Sequence, residues 1–469
     1  MKKFISLTGV GMLLIAQCNM ATAKEIDQSV IEDTVHQVGK LMENNYVSAE
    51  QGKQTAELLI NKLGEGAFNN ITDSKVLADT ITDTLREVTG DKHLRVRAAR
   101  SGGKHHTEED LINEQLDRQE RDRYRNNGVH QVRKLEGNVG YLELTGFQHL
   151  SNAKAPIDAA MSLLASSDAL IIDLRKNGGG SPSTVQYLCS YFFDEKLLLN
   201  SLYWREGDVT DEFWTLESVN GQKLPEIPLY VLTSRRTFSG AEEFSYNMKT
   251  RERAVLIGET TGGGANPGGM FRVNDHFGVF IATGKAINPV TGTNWEGTGV
   301  VPDISVSKDE AFDKAVALAS EQASIVREKR RTVFKAAMTE MTRMLDNVGE
   351  KVSVESLKAH QSTFFSQMTA FARTLSLSEG QINGMGYDYL MQKQQPATAL
   401  LIMQFNVHLH PNSANALDSL GEVWLKLDRP KEAKANFLAG LSLVGEDNHR
   451  LRDILQKNLQ KADDKLNAT

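Results

Sequence analysis

Between residues 129 and 306, short apolar runs alternate with turns and helical stretches. Val139–Leu144, Ala169–Leu174, Leu229–Thr233, Ala254–Ile257 and Val279–Thr283 read as strands, and Ala153–Ala165, Ser183–Phe193 and Gly240–Lys249 read as helices. Alternation of this kind implies an α/β core. Eleven glycines fall between Gly258 and Gly299, far above the average of about 7%. Such a stretch turns tightly or lets a ligand approach its backbone closely.

The flanks differ. Within 24–90, apolar residues recur at three- and four-residue steps (Val35, Val38, Leu41, Met42; Leu58, Leu59, Leu63; Leu77, Ile81, Leu85, Val88), with Asp73-Ser74 as a start signal and Gly90 as a stop. This predicts a bundle of about three helices over 24–100. Residues 101–128 are densely charged and read as a solvated helix or mobile loop. No proline occurs between Pro302 and Pro396, and 307–377 reads as a helical connector. In 378–469, Ala399 and Ala433 stand 34 residues apart, as do Leu390 and Trp424. Leu420-Gly421-x-x-Trp424 and Ala433-x-x-x-Phe437 resemble the tetratricopeptide pattern. An ordinary helical hairpin is the rival reading. Trp424 and Phe437 are expected to pack inside it.

Residues 1–23 combine a basic start, a short apolar run (5–16) and Ala21-Thr22-Ala23, which reads as an export signal cut after Ala23. The product is expected to be periplasmic or secreted, without stable membrane insertion. Removal of Cys18 leaves Cys189 alone, so no intrachain disulfide is possible. With 53 Lys+Arg against 60 Asp+Glu and a net charge of −7, the chain lacks the cationic surface of a nucleic-acid binder. No metal cluster is expected, since His105-His106 has no further ligands at useful spacing, and no cofactor is expected either.

Five segments carry chemistry-bearing residues. The strand at 229–233 leads through a short turn to Ser239-Gly240 at a helix start. Ser239 there is either a helix cap or a nucleophile facing unpaired N–H groups. Asp173-Leu-Arg-Lys-Asn177-Gly178-Gly179-Gly180 lacks the Gly-Lys-Ser/Thr ending of a phosphate loop and the dinucleotide spacing. It remains a candidate oxyanion or substrate loop, or a plain tight turn. Gly262-Gly263-Gly264 is a second glycine loop and a candidate substrate-binding segment. Glu296 sits in the turn Asn294-Trp-Glu-Gly-Thr-Gly, and His93 follows a helix stop. Serine, histidine and an acid on loops are the parts nucleophilic catalysis needs.

Taken in order, Asp91-Lys-His93-Leu, Asp173-Leu-Arg-Lys-Asn-Gly-Gly-Gly, Thr233-Ser…Thr-Phe-Ser239-Gly-Ala-Glu-Glu, Gly258-Glu-Thr-Thr-Gly-Gly-Gly and Gly292-Thr-Asn-Trp-Glu296-Gly-Thr-Gly-Val-Val-Pro-Asp resemble the S41 serine peptidases. These include the C-terminal processing proteases and the tricorn core protease, and the resemblance is greatest to the branch related to interphotoreceptor retinoid-binding protein. It implies a crotonase- and Clp protease-like core of stacked ββα units behind a helical bundle. It also implies Ser239 as nucleophile. The lysine used by part of the family falls at Gly264, so the resemblance implies His93 as general base, with Glu296 holding it. Gly240, with Gly178 or Gly179, would form the oxyanion hole. The serine that precedes the histidine in tricorn is Lys92 here. Only 45 residues, 94–138, separate His93 from Val139, too few for the PDZ domain of the processing proteases.

Two functions follow. One is an exported serine endopeptidase acting on peptides or proteins. The other is a non-catalytic ligand or peptide carrier on the same scaffold. The C-terminal repeats are expected to bind a protein partner.

Overall fold

The computed structural model describes residues 26–99, 108–351, 354–445 and 447–468. The expected export signal, Cys18, His105 and His106 lie outside the described residues. The chain divides into two compact units, residues 1–325 and 326–469.

The first unit opens with α1 (Gln28–Asn45), α2 (Ala49–Gly64) and α3 (Ser74–Thr89). The oxygens of Asp27, Ser48 and Asp73 accept the N–H groups of Val30, Gln51 and Val76, which the first helical turns leave unpaired. Gly90 ends α3 at φ +67°. After β1 (Arg95–Ala98), the charged segment forms the exposed helix α4 (Glu108–Tyr124). Then come β2 (Val129–Leu135), β3 (Val139–Leu144), α5 (Leu150–Leu164), β4 (Ala169–Asp173), α6 (Pro182–Cys189), β5 (Leu198–Trp204), β6 (Val209–Trp214), β7 (Leu229–Thr233), α7 (Gly240–Thr250), β8 (Val255–Gly258), β9 (Gly268–Arg272), β10 (Phe277–Ala282), β11 (Gly284–Ile287) and β12 (Ile304–Ser305).

Six strands form the main sheet in the order β12-β8-β7-β4-β3-β2, parallel except for β2. Its fully buried strands Val139–Leu144, Ala169–Asp173 and Leu229–Thr233 are the mainly apolar runs expected of a parallel sheet, with Glu143 and Asp173 buried near strand ends. One face packs on α5, α6 and α7 through Ile157, Leu188 and Phe244. The other is covered by Ala311, Ala315, Ala319 and Ala323, a four-residue period at the start of α8 (Ala311–Lys351). Two three-stranded antiparallel sheets, β1-β10-β9 and β11-β5-β6, flank it.

The 24–100 bundle is not a separate core. Val35, Leu59, Leu77 and Ile81 pack with Val96 of β1 and Phe277, Val279 and Ile281 of β10. The expected 101–128 linker therefore connects two parts of one packed unit.

The second unit is all helical: the end of α8, α9 (Leu357–Leu375), α10 (Glu379–Tyr387), α11 (Pro396–Leu409), α12 (Ala414–Lys426), α13 (Pro430–Leu443) and α14 (His449–Asn467). The boundary expected at 377/378 falls inside one core, because Phe364 and Met368 of α9 bury with Ile382, Leu401 and Phe405. Phe437 is buried, and a Cβ on Gly421 would stand 2.4 Å from its ring, so α12 and α13 approach closely there. Trp424 is half-buried. The fold class is thus the expected one: a helical N-terminal region, a mixed α/β core and an all-helical C-terminal region. Among the described residues no helix is long and apolar enough to cross a membrane.

Candidate active site

Ser239 stands where β7 has ended and α7 begins. The intervening turn is sewn to the turn after β4. Ser234 Oγ donates to Arg175 O at 2.7 Å, Thr237 Oγ1 to Leu174 O at 2.9 Å, and Phe238 N–H to Asn177 O at 3.1 Å. The two motifs are therefore one structure. Gly179, at φ +96°, lies so close that a Cβ there would be 2.6 Å from Phe238 O and 2.8 Å from Ser239 Cβ.

Ser239 forms a capping box with Glu242, and its backbone differs from that of the other caps. Asp27, Ser48, Asp73 and Ser413 cap their helices at φ between −94° and −88°. Ser239 has φ +53° and ψ −122°. A non-glycine residue held there costs about 1–3 kcal/mol, and such strain gathers at functional sites.

Glu242 holds that conformation. Its buried carboxylate accepts the Ser239 N–H at 2.8 Å, Gly263 N–H at 2.6 Å, Gly264 N–H at 2.9 Å and the Thr261 hydroxyl. Burial raises its pKa, and these donors oppose the rise. Gly262 N–H donates to Thr237 O at 2.9 Å. The amides of Gly262, Gly263 and Gly264 are thus spent inside the protein, and a substrate would meet this segment through its surface. Gly264 lines the cleft by its surface alone.

A cleft of about 630 Å³ brings together Ser239, Gly240, Gly178, Gly180, Gly264 and His93, with Leu202, Phe213, Glu243 and Trp295 among its walls. A neighbouring cavity of about 800 Å³ shares Lys92 and Phe238 but holds neither Ser239 nor His93. Among the described residues, the N–H groups of Gly178 and Gly240 have no protein acceptor. That of Gly179 is taken by Asn177 Oδ1 at 2.8 Å, which removes Gly179 from the expected oxyanion pair.

The His93 ring lies 4.6 Å from the Phe238 ring and 5.8 Å from that of Phe280, centroid to centroid. A Cβ on Gly264 would stand 2.7 Å from His93 Cε1. The imidazole occupies the space into which a side chain at 264 would grow, so histidine and a lysine at that position exclude each other. Lys92 Nζ donates to Gly262 O at 2.5 Å. Among the described residues no hydrogen bond joins Ser239 to His93 in this conformation.

Behind His93 stand two carboxylates. Asp91 Oδ1 accepts the His93 backbone N–H at 2.8 Å and lies 3.7 Å from Nδ1. Glu296 Oε2 accepts the N–H groups of Ala265 at 2.5 Å and Asn266 at 3.1 Å. Glu296 Oε1 and His93 Nδ1 are buried with no partner. Burial first, then the Asp91 charge, pushes the Glu296 carboxyl up to about 7. Donor atoms of Asp91, His93 and Glu296 lie within 4.8 Å of one another, a spacing that suits a shared proton or a cation. Sequence reading named His93 and Glu296 and missed Asp91. Its signal, an acid two residues before the histidine, was in the quoted motif.

The profile of peptidase family S41 matches residues 138–306, and that of the N-terminal domain of peptidase S41 in eukaryotic IRBP matches residues 16–126. The chain belongs to peptidase family S41. It is 27% identical over 182 residues to carboxyl-terminal-processing peptidase 2, chloroplastic, of Arabidopsis thaliana, covering 37% of this chain and 34% of that one. It is 27% identical over 173 residues to a carboxyl-terminal-processing protease of Picosynechococcus, covering 36% and 40%. The chain thus spans well under half the length of these relatives. The solved photosystem II D1 C-terminal processing protease aligns over 61% of this chain and 94% of its own, at 14% identity and a TM-score of 0.40.

Proposed function

We propose that this S41 chain is an exported serine endopeptidase. The observation that carries the reading is the strained Ser239 in one cleft with His93 and with Gly240 and Gly178, whose amides have no protein acceptor among the described residues. His93 takes the Ser239 hydroxyl proton as Oγ attacks a peptide carbonyl. The developing oxyanion is held by the two amides, and loss of one such donor costs about 3 kcal/mol, or 10²–10³ in rate. The imidazolium returns its proton to the leaving amine. Water then hydrolyses the ester by the same route. Asp91 and the ionised form of Glu296 hold the imidazolium. Phe280, stacked on the imidazole, and Phe238, tilted against it at 47°, fix its plane. The helical second unit is read as a surface for a protein partner.

The test is labelling with a fluorophosphonate. Wild type should react, and Ser239→Ala and His93→Ala should not. A folded wild type that stays unlabelled would favour the carrier role instead.

A further inference from the structure

Alternation along β1 turns Leu94 and Val96 into the core and leaves Arg95 and Arg97 exposed, lining the Ser239 cleft beside His93. The register extends this face across the sheet. Arg95 is opposite Phe280, which is opposite Met270, and Arg97 is opposite Gly278, which is opposite Arg272. Phe280 stacks on His93, so the face runs directly into the catalytic imidazole.

The cations of this wall differ in what they already hold. Arg272 pairs with Asp275. Arg86 donates to the carbonyls of Leu94 and Lys92, and Lys92 donates to that of Gly262. The guanidiniums of Arg95 and Arg97 have neither a hydrogen bond nor an ion pair among the described residues. Of the acids on the cleft wall, Asp211 accepts from Trp204 Nε1 at 2.8 Å, and Glu243 is buried, which pushes its carboxyl up to about 8. The two guanidiniums thus line the cleft without an ion-pair partner among the described residues, in a chain whose net charge is −7.

We infer that Arg95 and Arg97 form a binding site for acidic side chains of the peptide substrate, specifically two Asp or Glu residues at alternate positions of an extended segment. Residues two apart on a strand are spaced by about 6.6–6.8 Å, the same as alternate side chains of an extended peptide, so each carboxylate meets one guanidinium. The peptide reads the face and not the edge. The outer edge of β1 is closed, because Val96 N–H donates to Thr82 Oγ1 at 2.9 Å and Leu94 O accepts from Arg86 Nε at 3.0 Å. The apolar Phe280 and Met270 beside the arginines fit intervening apolar residues. This inference deepens the peptidase reading and rests on it.

The test uses the full chain carrying Ser239→Ala and two fluorescein-labelled peptides, alike except for Glu-x-Glu in one and Gln-x-Gln in the other. Fluorescence anisotropy should show the Glu peptide binding about tenfold more tightly, with the gap closing as salt rises from 50 to 500 mM. Arg95→Gln/Arg97→Gln should erase the preference, and each single variant should reduce it, with melting temperatures unchanged. Equal binding of the two peptides by the unsubstituted face overturns the inference, as does a folded double variant that keeps the preference. Binding needs no turnover, and fluorophosphonate labelling of wild type reports separately on the peptidase reading.

Discussion

Substituting Gly264 by alanine tests whether His93 is held by its contacts. The added Cβ would stand 2.2 Å and 2.5 Å from Phe238 Cζ and Cε2 and 2.7 Å from His93 Cε1. Carbon atoms pack at about 3.5–4.0 Å, so both rings must retreat by about 1 Å. The Gly262 backbone also approaches this ring, its Cβ position lying 2.6 Å from Phe238 Cδ2. Overpacking of this kind costs about 1–3 kcal/mol. A displacement of about 1 Å in a catalytic group costs about 10²-fold in rate. Gly269→Ala is the control, since nothing lies within 4 Å of its Cβ position and both changes stiffen the unfolded chain alike. The assay is the second-order rate of fluorophosphonate labelling, beside a thermal melt. Gly264→Ala should label about 10²-fold more slowly and melt earlier, while Gly269→Ala should match wild type in labelling. Labelling of Gly264→Ala at the wild-type rate would refute the placement of His93 against Phe238 and the 264 backbone.

Ser239→Ala, His93→Ala and the double variant should lose nearly equal peptidase activity, because they serve one step; multiplying losses would separate them. Glu243 is raised from 4.5 to about 8 by burial, so the folded protein keeps a proton that the unfolded chain releases. Its contribution to stability is therefore full below about pH 4.5 and is lost as pH rises toward about 8. Urea midpoints at pH 5 and pH 8.5 should differ more for wild type than for Glu243→Gln, and equal differences would contradict the burial. A chain ended after Ile325 keeps the alanine face of α8 on the main sheet. It should still label at Ser239 while losing turnover of a protein substrate or changing its oligomeric state. Loss of labelling in a folded truncation would show that the second unit shapes the site.

The buried parallel strands were legible because each is a mainly apolar run, broken by Glu143 and Asp173 near strand ends, that helices cover on both faces. The caps at Asp73 and Gly90 were legible for a local reason too. The hairpin β5–β6 was not, because Val209–Trp214 carries Asp211 and Glu212 and stays exposed, so no core face marks it. β9 begins Gly268-Gly269 and looks like loop; only pairing with β10 makes it a strand. In the site, Ser239 and His93 were reached through motifs, but the roles of the 262–264 glycines were not. Their amides serve Glu242 and Thr237, partners 21 to 25 residues away in sequence that no local pattern exposes. Glu242 itself reads as an ordinary helix-start glutamate three residues after a capping serine. Its ties to Thr261, Gly263 and Gly264 exist only in the folded chain. The connector and repeats looked separable because the 34-residue period begins after α9, yet α9 supplies apolar side chains to the same core.

The proposed peptidase function stands on Ser239 being an activated nucleophile. The most direct measurement is peptide mapping by mass spectrometry after brief exposure to a fluorophosphonate. One phosphonyl adduct is expected, on Ser239, absent from Ser239→Ala and strongly slowed in His93→Ala. A folded wild-type protein with Ser239 unmodified, or modified only elsewhere, would contradict it.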